Sequence, residues 1–177
     1  MAIAHYVVFV PYDGTPLTGE GNTAGLVDPF RDGVDATAFF PIESWSFDIE
    51  QTLNIGSQST GAGAGKVTFN PFSIRRKIDK MSPTLFRNAA AGTPFQYLDL
   101  IEHRAGKNGD RAAFAAWQFQ LVAVKTVSWA SEDDDRPTET VTFEYGGLTM
   151  RYVPQSPTGQ LEPPVQAGWD RVRNVSL

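Results

Sequence analysis

The stretch WQFQLVAVKTVSW, residues 117–129, decides the fold. Trp117, Phe119, Leu121, Ala123, Val127 and Trp129 fall on one side of a two-residue period, broken only by Lys125, while Gln118, Gln120, Thr126 and Ser128 fall on the other. Successive side chains of an extended chain point to opposite faces, so the pattern predicts a long strand with one face on a core. Upstream, residues 95–102 alternate in the same way and lead into a polar turn at 105–110. Downstream, Val141, Phe143 and Tyr145 repeat the alternation after an acidic turn. Gly146-Gly147 then reads as the corner of a last hairpin whose second arm is 148–153.

Further out, residues 4–10 are rich in aromatic and β-branched types and stop at Pro11, which predicts a first strand. Trp45, Phe47 and Ile49 mark a half-buried strand, and Val67, Phe69, Phe72 and Ile74 resume the texture after a polar, glycine-rich segment at 53–66. One helix is expected, with Ser82 as a capping hydroxyl, Pro83 at the first helical position, a stripe of Leu85, Phe86, Ala89 and Ala90, and Gly92 as its stop. Six or seven strands and one short helix imply a barrel or sandwich and exclude a parallel α/β fold. Residues 1–177 read as one domain, with a long loop insertion at about 13–38 and an irregular tail at about 154–167. The insertion reads either as a disordered loop or as a segment that orders against a partner. Trp169 is expected to pin the tail to the body.

Composition narrows the function. The chain has no cysteine, two histidines and a net charge of -5. Thiolate chemistry and disulfides are excluded, and an acidic balance disfavours nucleic acid. No run approaches the ~20 apolar residues of a spanning helix, and residues 1–6 lack a signal-peptide pattern, so no membrane insertion is expected. Thr60 stands where a phosphate-binding loop would have its first glycine, and Val67 follows Lys66, so no nucleotide motif is complete. His5 and His103 stand far apart, no Gly-x-Ser-x-Gly elbow occurs, and the acidic run 132–135 lacks the rest of a calcium loop. No cofactor, metal or catalytic residue is expected, and the chain is read as a structural protein.

Several segments together resemble the Hcp family, the tube proteins of bacterial type VI secretion systems. They are IESWSF at 42–47, GAGKV at 63–67, FSIRRKIDKMSPTL at 72–85, and the late Gly168-Trp169-Asp170 with Asn174. The resemblance implies a β-barrel formed by two antiparallel sheets with one short flanking α-helix. It also implies hexameric rings that stack into a tube, a contractile sheath around it, a spike protein at its tip and small effector proteins in its lumen. The protein would be made in the bacterial cytoplasm and exported through type VI secretion to the extracellular space or a target cell. Carried onto this sequence, the extended loop of the family falls on Leu53, Asn54, Gly56, Ser57, Gln58, Gly61, Gly63, Gly65 and Lys66. Arg75, Arg76 and Lys77 would meet the acidic residues Glu132, Asp133, Asp134 and Asp135 of a neighbouring subunit. Ser82, Pro83, Thr84, Arg87 and Asn88 would face the lumen. The alternative is a monomeric β-barrel binding module, with a concave apolar pocket. The 13–38 insertion departs from the family pattern.

Overall fold

The computed structural model describes residues 3–22, 24–54, 63–105 and 111–177. Among the described residues the regular structure is eleven strands, one α-helix and one short 3₁₀ turn. In chain order they are β1 (Ile3–Val10), β2 (Phe40–Ile42), β3 (Ser44–Ser46), β4 (Ile49–Asn54), β5 (Gly63–Phe69), β6 (Phe72–Lys77), α1 (Ser82–Ala91), β7 (Phe95–Ala105), β8 (Arg111–Ala130), β9 (Thr138–Tyr152), β10 (Val165–Asp170) and β11 (Val175–Ser176). A 3₁₀ turn at Ala36–Ala38 leads into β2, with Asp35 accepting a hydrogen bond from the Thr37 amide.

Nine strands form one sheet, in the order β11-β10-β9-β8-β7-β1-β2, with β6 joined to β9 and β3 joined to β6. The hairpin β4–β5 is a separate two-stranded sheet. Every pairing is antiparallel.

Two sheets and one short helix agree with expectation, but neither sheet closes into a barrel. The strands with a free edge are β2, β3 and β11, and no two of them pair. β2 and β3 are consecutive pieces of one extended chain, separated only by Glu43. β2 pairs with β1 and β3 with β6, and the Glu43 amide donates to the Arg75 carbonyl at 2.8 Å where the chain changes partner. The chain thus passes from one partner strand to another there, and the sheet stays open.

The core lies in the fold of this sheet. Phe9, Phe40, Phe72, Phe119 and Phe143 are buried together, with Phe72 and Phe119 stacked at 4.3 Å between ring centroids. Burying each such ring contributes about 1.5–3 kcal/mol relative to exposure. Helix α1 adds Leu85 to this core, and Met81, the residue that caps its start, joins it. Its C-terminus is closed by Gly92 at φ 68°, a left-handed position that suits glycine. Its N-terminus differs from the sequence reading. Ser82 is the first helical residue and not the cap; its hydroxyl accepts from the Asp79 amide at 3.1 Å and donates to Glu139 at 3.2 Å.

Two further expectations are corrected. Gly146-Gly147 is not a hairpin corner, because β9 runs unbroken through both. The expected face of β8 is not one face either. Trp117 and Phe119 pack on the core, but beyond them it is Val122 and Val124 that are buried, while Leu121 is 48% exposed and Trp129 50% exposed. Residues 44–49 also change partner midway, so Trp45 and Phe47 pack on the core while Ile49, in the hairpin, is left 49% exposed.

The insertion folds back on its own chain. Leu26, Phe30 and Val34 pack with Val8, Val10, Phe39, Ile101 and Ala116 as a second, smaller core on the opposite face of β1, β7 and β8. In the tail, β10 pairs with β9 through Trp169↔Leu148, which places the indole against the body as expected. Residues 165–167 of the tail, expected to be irregular, belong to that strand.

Candidate assembly surface

The hairpin β4–β5 stands over the sheet and leaves a cleft of about 470 Å³ beneath it. Its upper wall is Phe47, Ile49, Val67 and Phe69; its floor is Trp117, Leu148, Met150 and Trp169. Leu53 is exposed and Asn54 ends β4; Gly63 begins β5, Gly65 follows within it, and Lys66 is exposed. Lys66 also borders a polar depression of about 510 Å³, together with Arg171 and Asn174. Gly56, Ser57, Gln58 and Gly61 lie outside the described residues.

The basic residues of β6 divide by the alternation of the strand. Arg75 and Lys77 reach outward and Arg76 inward. Arg75 approaches Glu43 at 3.5 Å, and Lys77 donates to Asp135 at 2.7 Å within the same chain. The Lys77 ammonium holds the Asp135 carboxyl below its ordinary range. Glu132, Asp133, Asp134 and Asp135 are all exposed on the turn between β8 and β9, with Asp133 at φ 55°.

Arg76 belongs to the interior. It is 1% exposed, forms ion pairs with Asp79 and with Glu139 at 3.6 Å, and lies over the Phe40 ring at 5.5 Å. Glu139 also accepts from the Trp129 indole at 2.9 Å. This network ties β6, β8, β9 and the start of α1 together, and it removes Arg76 from any outer surface.

On α1, Pro83 and Arg87 are exposed and Thr84 is half-buried, while Ser82 and Asn88 are buried. The inner stripe is Met81, Leu85 and Asn88, spaced four and three residues apart. Phe86 lies off that stripe and is 56% exposed, 6.2 Å from the Trp129 ring. With Ile78, Pro83 and Pro137 these two rings line a depression of about 540 Å³ beside the acidic turn. Sequence reasoning placed Phe86 and Trp129 in the core and so missed this surface. The available signal was helical spacing, which puts Phe86 about 100° from Leu85.

The described residues hold no group of three or more His, Asp or Glu side chains arranged for a metal ion. His5 lies 2.7 Å from Glu102, which also accepts from the Trp45 indole at 2.5 Å. These groups fasten β1 and β3 to β7. Contiguous exposed apolar surface of this kind marks a place where a protein meets a partner or a ligand.

Comparison with known proteins agrees with that character. Residues 36–152 match the family described as type VI secretion system effector, Hcp. Over 112 residues the chain is 30% identical to protein hcp1 of Pseudomonas aeruginosa, an alignment that covers 62% of this chain and 68% of that one. A solved structure described as a type six secretion system protein superposes with a TM-score of 0.79 at 23% identity, covering 99% of this chain and 100% of the other. Hcp1 from Salmonella typhimurium superposes with a TM-score of 0.72 at 21% identity, over the full length of both. The chain therefore shares the fold of these solved type VI secretion proteins. The chain belongs to the Hcp family. That membership gives it a structural role related to the secretion tube, as a secreted component of the system.

Proposed function

We propose that this protein is a subunit of the type VI secretion inner tube, assembling as hexameric rings that stack and carry or chaperone small effector proteins in the lumen. The observation that carries the reading is the family match over residues 36–152. The exposed apolar surfaces around Leu53, around the cleft under β4–β5 and around Phe86 and Trp129 support it. They are faces that a neighbouring copy would cover, and each obligate contact would bury more than about 1,200 Å² in total.

In this reading the hairpin from Leu53 through Lys66 reaches an adjacent subunit or ring, and Arg75, Lys77 and the acidic turn lie at the edges of the contact. Lys77 then serves two partners, because Asp135 of its own chain already engages it. Pro83, Thr84 and Arg87 face the lumen. A contractile sheath encloses the tube and a spike protein caps it, and export runs from the bacterial cytoplasm through the secretion system. Assembly requires no catalytic group, cofactor or nucleic acid.

Sedimentation velocity at micromolar concentration and negative-stain imaging test the reading together. A species of six protomers and rings of uniform diameter are expected. A particle that stays monomeric at these concentrations overturns the tube and favours a binding module working through the cleft of about 470 Å³.

A further inference from the structure

The insertion is fastened by a polar cluster set into an apolar layer. Asp99 of β7 is fully buried on the face that carries Val8, Ile101 and Ala116. Arg31 of the insertion donates to its Oδ2 twice, at 2.9 and 2.6 Å, and to Asp28 at 3.2 Å. Gln118 of β8 donates to its Oδ1 at 3.0 Å. Asp28 is itself 4% exposed and accepts from the Phe30 amide at 2.9 Å. The Arg31 guanidinium lies over the Tyr97 ring at 5.3 Å.

Two carboxyl groups, both shielded from water, therefore share one guanidinium that stays partly exposed. Charge balances with one carboxylate, and a second ionised carboxyl would be an uncompensated buried charge. We infer that residues 24–38 form a proton-gated strap: docked on the sheet, the strap retains one proton on the Asp28–Asp99 pair, and rising pH favours its release. This goes beyond the tube reading and stands whether or not rings form. The strap precedes or only just enters the family match, which begins at residue 36.

The direction follows from linkage. Burial, and then the charge of Asp28, push the Asp99 carboxyl up to about 8, against an ordinary value of 3.8. Asp28 is raised as well, chiefly by burial. When the strap lifts, both carboxyls return to water and ionise as ordinary carboxylates. The docked state thus holds a proton that the released state gives up at any pH between about 4 and 8. Its advantage is complete at the acid end of that window and is lost as pH climbs to the upper end. The charged groups at the clasp are Asp28 and Arg31 from the strap and Asp99 from β7. Gln118 from β8 is neutral, β1 contributes Val8 and Tyr6, and Tyr97 and His103 lie along β7.

Amide exchange of peptides covering residues 24–38, followed by mass spectrometry from pH 5 to 9 and normalised to intrinsic rates, tests the gate. The opening constant is expected to rise up to about tenfold per pH unit and to level off near pH 8. Asp99→Asn removes the shared proton while keeping His103, so its profile is expected to be flat. Asp28→Asn leaves a one-to-one Arg31–Asp99 pair and serves as a second variant if the first fails to fold. A flat profile in the unaltered protein overturns the gate. So does a slope that survives either substitution.

Discussion

Leu121 and Gly146 lie opposite one another on β8 and β9, at the point where both strands turn their buried faces over. The neighbouring registers, Gln120↔Gly147 and Val122↔Tyr145, keep the same offset on either side of them. Leu121 adopts φ 50°, a left-handed conformation that a leucine adopts at a cost. Before this point the core of β8 is Phe119, and after it Val122 and Val124; on β9 it is Tyr145 before and Leu148 after. Both strands can thereby serve the core on either side of this point, because each inverts its alternation here with the register kept; the ladder shifts only further on, between Val124 and Thr126.

The close approach at that point makes opposite predictions for the two residues. Leu121→Asn relieves the left-handed cost of about 1–2 kcal/mol, since asparagine tolerates that conformation better. A rise in melting temperature of about 2–4 °C per kcal/mol is expected. Gly146→Val would set a Cβ 3.2 Å from the Leu121 Cβ and 3.1 Å from its Cδ2, so overpacking of about 1–3 kcal/mol is expected. The two effects are coupled. Thermal unfolding of the double variant should show Gly146→Val costing less beside Leu121→Gly, which removes both contacting atoms and also suits the left-handed backbone, than when the leucine is kept. Strict additivity would refute the contact.

Arg76 is the counter-charge of a carboxylate that water does not reach. Arg76→Met leaves Glu139 buried with only Ser82 and Trp129 as side-chain donors, and a loss of about 3–5 kcal/mol is expected in urea unfolding. Adding Glu139→Gln removes the stranded charge and should return part of that loss. A single-variant cost below about 1 kcal/mol, the size typical of a surface pair, would show that the network is not buried in solution.

The tail is held by a close approach of backbones. A Cβ on Gly168 would lie 2.7 Å from Thr149 Oγ1 and 3.1 Å from the Leu148 carbonyl, on strand β9, and 3.0 Å from the Leu177 Cβ. Gly168→Ala is therefore expected to cost about 1–3 kcal/mol and to loosen β10 and β11. Exchange of the β10 amides should accelerate while those of β7 stay protected. Unchanged protection in β10 would argue against the tight pairing.

Much of the architecture was legible in the chain because local patterns carry it. Alternation located the principal strands, Gly92 marked the helix end, and the residues 42–47 and 72–85 pointed to the family. The errors came where a distant partner overrode the local signal. Gly146-Gly147 has the composition of a turn, yet β8 and β10 flank it and hold it extended. Ser82 looks like a cap, but Glu139, far along the chain, takes its hydroxyl. Arg76 reads as part of a basic surface patch, and only the pairing of β6 with β9 sets it against Glu139.

The sequence by itself determined the class of the protein: a mostly-β chain with one short helix, no thiol chemistry and the segments of a secretion-tube family. Those properties reside in side-chain alternation, composition and short contiguous motifs, which need no knowledge of what lies across the fold. Only the tertiary structure decided that the sheet stays open, that the insertion is clasped onto β7 by Arg31, and that Phe86 and Trp129 meet at the surface. Each depends on residues far apart in the chain being brought within a few ångströms, and the free energy of such pairings is set by burial and geometry that no local pattern encodes.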